Sequence, residues 1–132
     1  MRIVLDTNVL VSGLLSPYGP PGRIVRMVAV AEVTLCFDAR IVSEYRTVLL
    51  RPKFGFDPAQ VDALLEQIHA AGEVAGGTKL GARLPDPADE PFVEVALAGR
   101  AEYLVTGNRR HYPSRACHGI KVISPAEFLA AY

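Results

Sequence analysis

The chain alternates short, wholly apolar runs with longer stretches in which apolar residues recur every three or four positions. Residues 2–5 are short, β-branched and apolar, and predict a buried strand. Residues 7–15 predict a helix with Asp6 or Thr7 near its N-cap. Pro17, Gly19, Pro20, Pro21 and Gly22 predict a loop. A second helix follows over residues 23–31, with Ile24, Met27, Val28 and Ala31 on one face. Residues 33–37 predict another strand. Asp38 is placed to cap a helix over 39–50, with Ile41, Tyr45, Val48 and Leu49 as its buried stripe and Pro52 as its stop. Asp57-Pro58 pairs an N-cap with proline at the first helical position, and Val61, Leu64, Leu65 and Ile68 form the buried face of that helix.

Beyond it the pattern weakens. Residues 72–83 are glycine-rich and predict a loop with a short strand at 73–75. A helix is expected from Glu90 or Pro91 to Gly99, with Phe92, Val95 and Ala96 inward. Strands follow at 102–105 and 121–123, then a helix over 125–131 capped by Ser124. Short apolar strands alternating with amphipathic helices predict an α/β protein, a three-layer α/β/α sandwich around a mostly parallel central sheet. With no repeat, low-complexity tract or long linker, residues 1–132 are expected to form a single domain.

Composition fits a soluble globular protein, half hydrophobic and 21% charged. No apolar run approaches the roughly 18 residues of a membrane span. The apolar N-terminal stretch lacks a polar cleavage region, so no signal peptide is expected and the expected compartment is the cytoplasm. Cys36 and Cys117 have neither metal-ligand spacing nor a C-x-x-C pattern and read as reduced thiols. Zero net charge excludes a bulk polycation that coats nucleic acid. The charge is nevertheless uneven. Residues 84–94 hold Asp86, Asp89, Glu90 and Glu94 without a base, whereas residues 100–121 hold Arg100, Arg109, Arg110, Arg115 and Lys121 against Glu102 alone. Two solvated surfaces would give this pattern, and so would a metal site facing a phosphate-binding rim.

That second possibility has candidate residues. In open parallel sheets ligands bind beyond the carboxyl ends of the strands. Asp6 stands there after the first strand, and Thr106-Gly107-Asn108 after the strand YLV. Asp6 alone is equally an ordinary N-cap. Glu44 borders the buried face of its helix, where a carboxylate needs a positive partner; a salt bridge to Arg40 or Arg51 is the plain alternative. Asp89 opens its helix as a site residue or as a cap, with Asp86 competing. Clustered carboxylates repel unless a counter-ion joins them, and Mg²⁺ or Mn²⁺ prefers such oxygen ligands. A cation there would serve phosphodiester hydrolysis. In the loop TGNRRHYPSR, Asn108 could orient a water, Arg109, Arg110 and Arg115 could engage RNA phosphates, and His111 and Tyr112 could stack on unpaired bases. The plain alternative is a solvated basic turn with Tyr112 packed on the body. His69 reads as a favourable helix-end charge.

The blocks VLDTNVLVSGL, SEYRTVL, DPADEPFVEVALAGRAEYLVTGN and RHYP, in this order and across nearly the whole chain, resemble the PIN domain family of metal-dependent ribonucleases. Within it they are most similar to the bacterial branch of type II toxin–antitoxin toxins. The resemblance implies that Asp6, Glu44 and Asp89 hold the metal, that Thr106 is the strand-tip threonine, and that Asn108 occupies a fourth polar position often filled by Asp. Thr7, Asn8 and Asp86 would support the site, with Glu90 as a further auxiliary acid. It also implies cleavage of single-stranded RNA by an activated water with Mg²⁺ or Mn²⁺, a homodimer, and a small antitoxin whose tail fills the acidic groove.

Three other functions compete. An aspartyl-nucleophile phosphatase wants a second Asp two residues after the first, and that position is Asn8. A nucleotide-binding module wants G-x-G-x-x-G or G-x-x-x-x-G-K-[ST], and neither occurs. A catalytically weak or inactive PIN-like protein that binds RNA or a partner is the strongest of the three, because net charge is zero and position 108 is Asn.

Overall fold

Consecutive apolar residues without alternation need cover on both faces of a sheet. Strand β1 (Arg2–Leu5) has it: Ile3, Val4 and Leu5 are fully buried. The computed structural model describes residues 1–76, 79–81 and 83–132. Four further strands, β2 (Thr34–Phe37), β3 (Glu73–Val74), β4 (Tyr103–Val105) and β5 (Lys121–Ile123), pair with β1 in a five-stranded, all-parallel sheet of order β3-β2-β1-β4-β5.

Among the described residues six α-helices cover the sheet: α1 (Thr7–Leu15), α2 (Pro20–Ala29), α3 (Ala39–Leu49), α4 (Pro58–Ala71), α5 (Glu90–Ala98) and α6 (Pro125–Ala131). The connections from β1 to β2 and from β2 to β3 step toward one edge, and the connection from β3 to β4 steps back. Right-handed crossovers therefore put α5 on the face opposite α1 to α4. There α5 packs across β1, β2 and β4, while α2 packs against α1, α4 and α6. This is the expected three-layer sandwich. No described helix is long and apolar enough to cross a membrane. Cys36 and Cys117 are free and buried.

Three expectations need correction: first, the helix expected over 23–31 ends at Ala29, and Ala31, expected on its buried face, is exposed. The loop expected through Gly22 ends earlier, because α2 begins at Pro20. Proline is favoured in a first turn, where its missing N–H has no partner to lose and its φ is already helical. Gly22 lets that turn close on the preceding chain, since a Cβ there would stand 2.2 Å from the Pro17 carbonyl oxygen. Four 3-10 turns, Pro52–Phe54, Pro87–Asp89, Arg109–His111 and Ser114–Ala116, also went unanticipated, because three residues carry no periodicity. Within the loop expected over 72–83, residues 77, 78 and 82 lie outside the described residues.

The strand order reverses between β1 and β4, whose carboxyl ends are in register, Leu5 beside Val105. Ligand sites form at such a switch point. Asp6 and Thr106 leave the sheet side by side, and the Asp6 amide donates to the Val105 carbonyl at 2.9 Å. Buried Tyr45 on α3 donates its hydroxyl to the Leu5 carbonyl at 2.6 Å, which ties the helix bearing Glu44 to the same strand tip.

Candidate metal centre

Asp6 is 5% exposed and stands at the N-cap position of α1, yet its side chain makes no cap hydrogen bond. Its Oδ2 instead accepts from the Thr106 hydroxyl at 2.8 Å, the Tyr112 hydroxyl at 3.0 Å and, more weakly, the Asn8 amide at 3.4 Å. Asn8 also accepts from the Gly107 amide at 3.0 Å and so clips the two strand tips together. Donors converging on one oxygen fix the carboxylate and leave Oδ1 free of them.

Asp89 ends the Pro87–Asp89 turn and opens α5, again without a side-chain cap bond. Its Oδ2 is buried and has no hydrogen-bond partner among the described residues. Burial, reinforced by Asp6 and opposed by His111, pushes its carboxyl up to about 6. His111 Nδ1 lies 3.7 Å from Asp89 Oδ2. Asp6, Asp89 and His111 each offer a ligand atom, all within 4.8 Å of one another.

Glu44 reaches the site from α3, and its Oε2 accepts a hydrogen bond from Thr7 Oγ1. Burial raises its carboxyl, Thr7 opposes the shift, the charges of Asp6 and Asp86 add to it, and the charge of Arg51 opposes it. The salt bridge considered for Glu44 does not form among the described residues: Arg40 pairs with Asp38 and Glu94 instead. Glu44 is not among the three residues that lie within 4.8 Å.

The remaining candidates divide by contact. Asp86 is exposed and caps its own turn through the Ala88 amide at 2.9 Å. Glu90 is spent elsewhere, accepting from Arg83 and from the Leu84 amide at 3.0 and 3.1 Å, so both its oxygens are occupied. Asn108 does not meet Asp6. Its Oδ1 accepts from the Arg110 amide at 3.2 Å, which turns its Nδ2 toward His111 Nε2 at 3.1 Å. Arg109 faces Glu127 at 3.4 Å, while Arg110 and Arg115 are exposed and without ion pairs among the described residues.

Base stacking by Tyr112 is overturned. The side chain is 3% exposed, and burial with the nearby Asp6 charge drives its phenol far up, so it stays a donor. Sequence reasoning missed both this role and the approach of His111 to Asp89. One signal was available: a tyrosine that packs on the body must find a partner for its hydroxyl.

The donor set suits a hard divalent cation. Carboxylates converge with an orphaned buried oxygen, and among the described residues no Lys or Arg pairs with Asp6, Glu44 or Asp89. Tyr112→Phe should keep the packing and remove one donor to Asp6. Calorimetric titration with Mn²⁺ should show about 10-fold weaker binding, with a stability loss of about 1 kcal/mol. Unchanged affinity would mean that the hydroxyl only fills space.

The model of the PIN domain family matches residues 2–110, from β1 into the 3-10 turn that follows β4. The matched region holds Asp6, Glu44, Asp89, Thr106 and Asn108 and ends just before His111 and Tyr112. An uncharacterized protein of Methanocaldococcus jannaschii is 24% identical, aligned over the whole of this chain and 92% of its own length.

Proposed function

The chain belongs to the PIN domain family, whose members are generally metal-dependent nucleases, and on that premise we propose that it is an endoribonuclease hydrolysing phosphodiester bonds of single-stranded RNA. The observation that carries this reading is the meeting of Asp6, Asp89 and His111 at the switch point of a parallel sheet, with Asp89 Oδ2 buried and unpartnered. Asp6 and Asp89 would hold Mg²⁺ or Mn²⁺, joined by Glu44 through Oε1, the oxygen that Thr7 leaves free. Such an ion would polarise the scissile phosphate and lower the pKa of the attacking water.

The protein's own groups do the rest. Thr106, Tyr112 and Asn8 orient Asp6. Thr7 holds Glu44 toward the same space. Arg110 and Arg115, exposed and without ion pairs among the described residues, bind RNA phosphates together with Arg109, and exposed His111 sits between that rim and the carboxylates. Asn108 acts through His111, because its own amide is committed to the turn.

The wider reading is a single-domain cytoplasmic toxin over residues 1–132. It would act as a homodimer and be neutralised by a cognate antitoxin whose basic tail meets the same carboxylates. Family membership and the cluster of Asp6, Asp89 and His111 support it. The second reading, an RNA-binding protein with little or no catalysis, draws on Asn108 bringing no charge to the site. Labelled single-stranded RNA with Mn²⁺, Mg²⁺ or EDTA separates the two. Cleavage with either cation and none with EDTA is expected; binding without cleavage in any cation selects the second reading.

A further inference from the structure

One cleft stands apart from the carboxylates, and its lining resembles nothing in the metal site. Half-buried Leu14 at the end of α1 faces Phe56, Gln60, Val61 and Leu64 across a cleft of about 190 Å³. That is below the roughly 300–1,000 Å³ of pockets that bury whole drug-sized ligands, so the cleft has room for a group the size of a single ring. Phe56 offers an aromatic wall, Leu14 and Leu64 offer apolar walls, and exposed Gln60 carries an amide able to donate and accept.

The approach to this cleft is cationic and aromatic. Phe54 stacks on Phe56 with centroids 5.8 Å apart and planes 20° from parallel, and the Lys53 ammonium sits 5.1 Å over Phe54. Exposed Arg51 and Lys53 form no ion pairs among the described residues. The nearest acid in sequence, Asp57, is committed to the Ala59 amide at 3.0 Å. Free cations interleaved with stacked aromatics suit a polyanion that carries flat rings.

The distance to the metal centre also fits. Leu14 lies seven residues after Thr7 along α1. That offset is two helical turns, about 10 Å, or on the order of three stacked nucleotides. The helix α1 thus places the cleft at one short stretch of strand from the carboxylates. We infer that the cleft between the end of α1 and the start of α4 receives a nucleobase of the RNA strand, with Arg51 and Lys53 on the flanking phosphates. The inference rests on the ribonuclease reading above.

The test is fluorescence anisotropy in EDTA with a labelled single-stranded RNA of about 12 nucleotides, within the span such grooves cover. Phe56→Leu keeps the apolar volume and removes the aromatic face; it should weaken binding about 10-fold or more. Gln60→Ala, at an exposed position that leaves the fold alone, should weaken it to a lesser degree. Lys53→Ala should lower the salt slope of binding by about one. Photocrosslinking with thiouridine-containing RNA should label the peptide that contains Phe56. Arg109→Ala with Arg110→Ala is the control on the other rim. Wild-type affinity in both Phe56→Leu and Gln60→Ala, beside weakened binding in that control, overturns the cleft and leaves the nuclease reading standing. Failure of the wild-type protein to bind RNA at all overturns both.

Discussion

Asp6→Asn should abolish detectable metal-dependent RNA cleavage, a loss of at least about 100-fold, since removing even a partner of a ligand costs 10- to 100-fold. The fold should survive. The replacement is isosteric and retains an acceptor for the Thr106 and Tyr112 hydroxyls that now converge on Oδ2. It also removes one of the charges that press on Asp89 and Glu44. The experiment discriminates because Asn is as good an N-cap as Asp. A carboxylate that served only to start α1 would give a variant unchanged in activity as well as in stability. Glu44→Gln should lose cleavage likewise while Thr7 still donates to the new side chain. Cleavage at the wild-type rate by Asp6→Asn in Mn²⁺ would remove the metal site as drawn. The measurement is an RNA cleavage assay beside thermal melts of both variants, so that lost activity is never confused with lost fold.

The parts of this molecule that were legible in its sequence are those with a period. Residues 2–5 form the buried strand that their β-branched apolar run predicts, and the Asp57-Pro58 start of α4 stands as expected. Taking β1 and β4 as neighbours, which their pairing bears out, was expected to bring Asp6 and Asn108 together; the residue that meets Asp6 is Thr106 instead. The illegible parts depend on turns too short to have a pattern. His111 reaches Asp89 only because Arg109–His111 coils into a 3-10 turn capped by Asn108. The same turn spends the Asn108 amide locally and carries the chain on to Tyr112, which meets Asp6 from behind. The acidic run at residues 84–94 was misleading for a different reason. Glu90 and Glu94 sit four residues apart on one helix and turn together onto Arg83, Arg40 and the backbone of Leu84 and Leu80, leaving Asp89 as the member aimed at the site. Charge counts along a chain cannot separate acids that hold a loop from acids that await a cation.

Asp89→Asn should stabilise the cation-free protein while destroying its response to cations. An aspartate held at about 6 in the folded state, against 3.8 when unfolded, keeps its proton more tightly in the fold. Folding then binds protons between those values, so its contribution is fully present below about pH 3.8 and is lost as pH rises through about 6. Two pK units correspond to about 3 kcal/mol, an upper figure for a side chain that keeps 13% exposure. Above pH 6 the wild-type protein carries that deficit, because the carboxylate is ionised, buried and beside Asp6. An amide carries none. In EDTA at pH 7.5 the variant should therefore melt roughly 5–10 °C above wild type, taking a few degrees per kcal/mol for a chain of this size. A divalent cation should close the gap from the other side. At about 100 times its dissociation constant it adds about 2.7 kcal/mol to the wild type and little to the variant. The cation-induced rise should shrink at pH 5, where protons compete for the same oxygen. Melting curves in EDTA and in Mn²⁺ at pH 5 and pH 7.5 measure all four corners. A variant that melts below wild type in EDTA and still gains stability from Mn²⁺ would show that Asp89 serves the start of α5 rather than an ion.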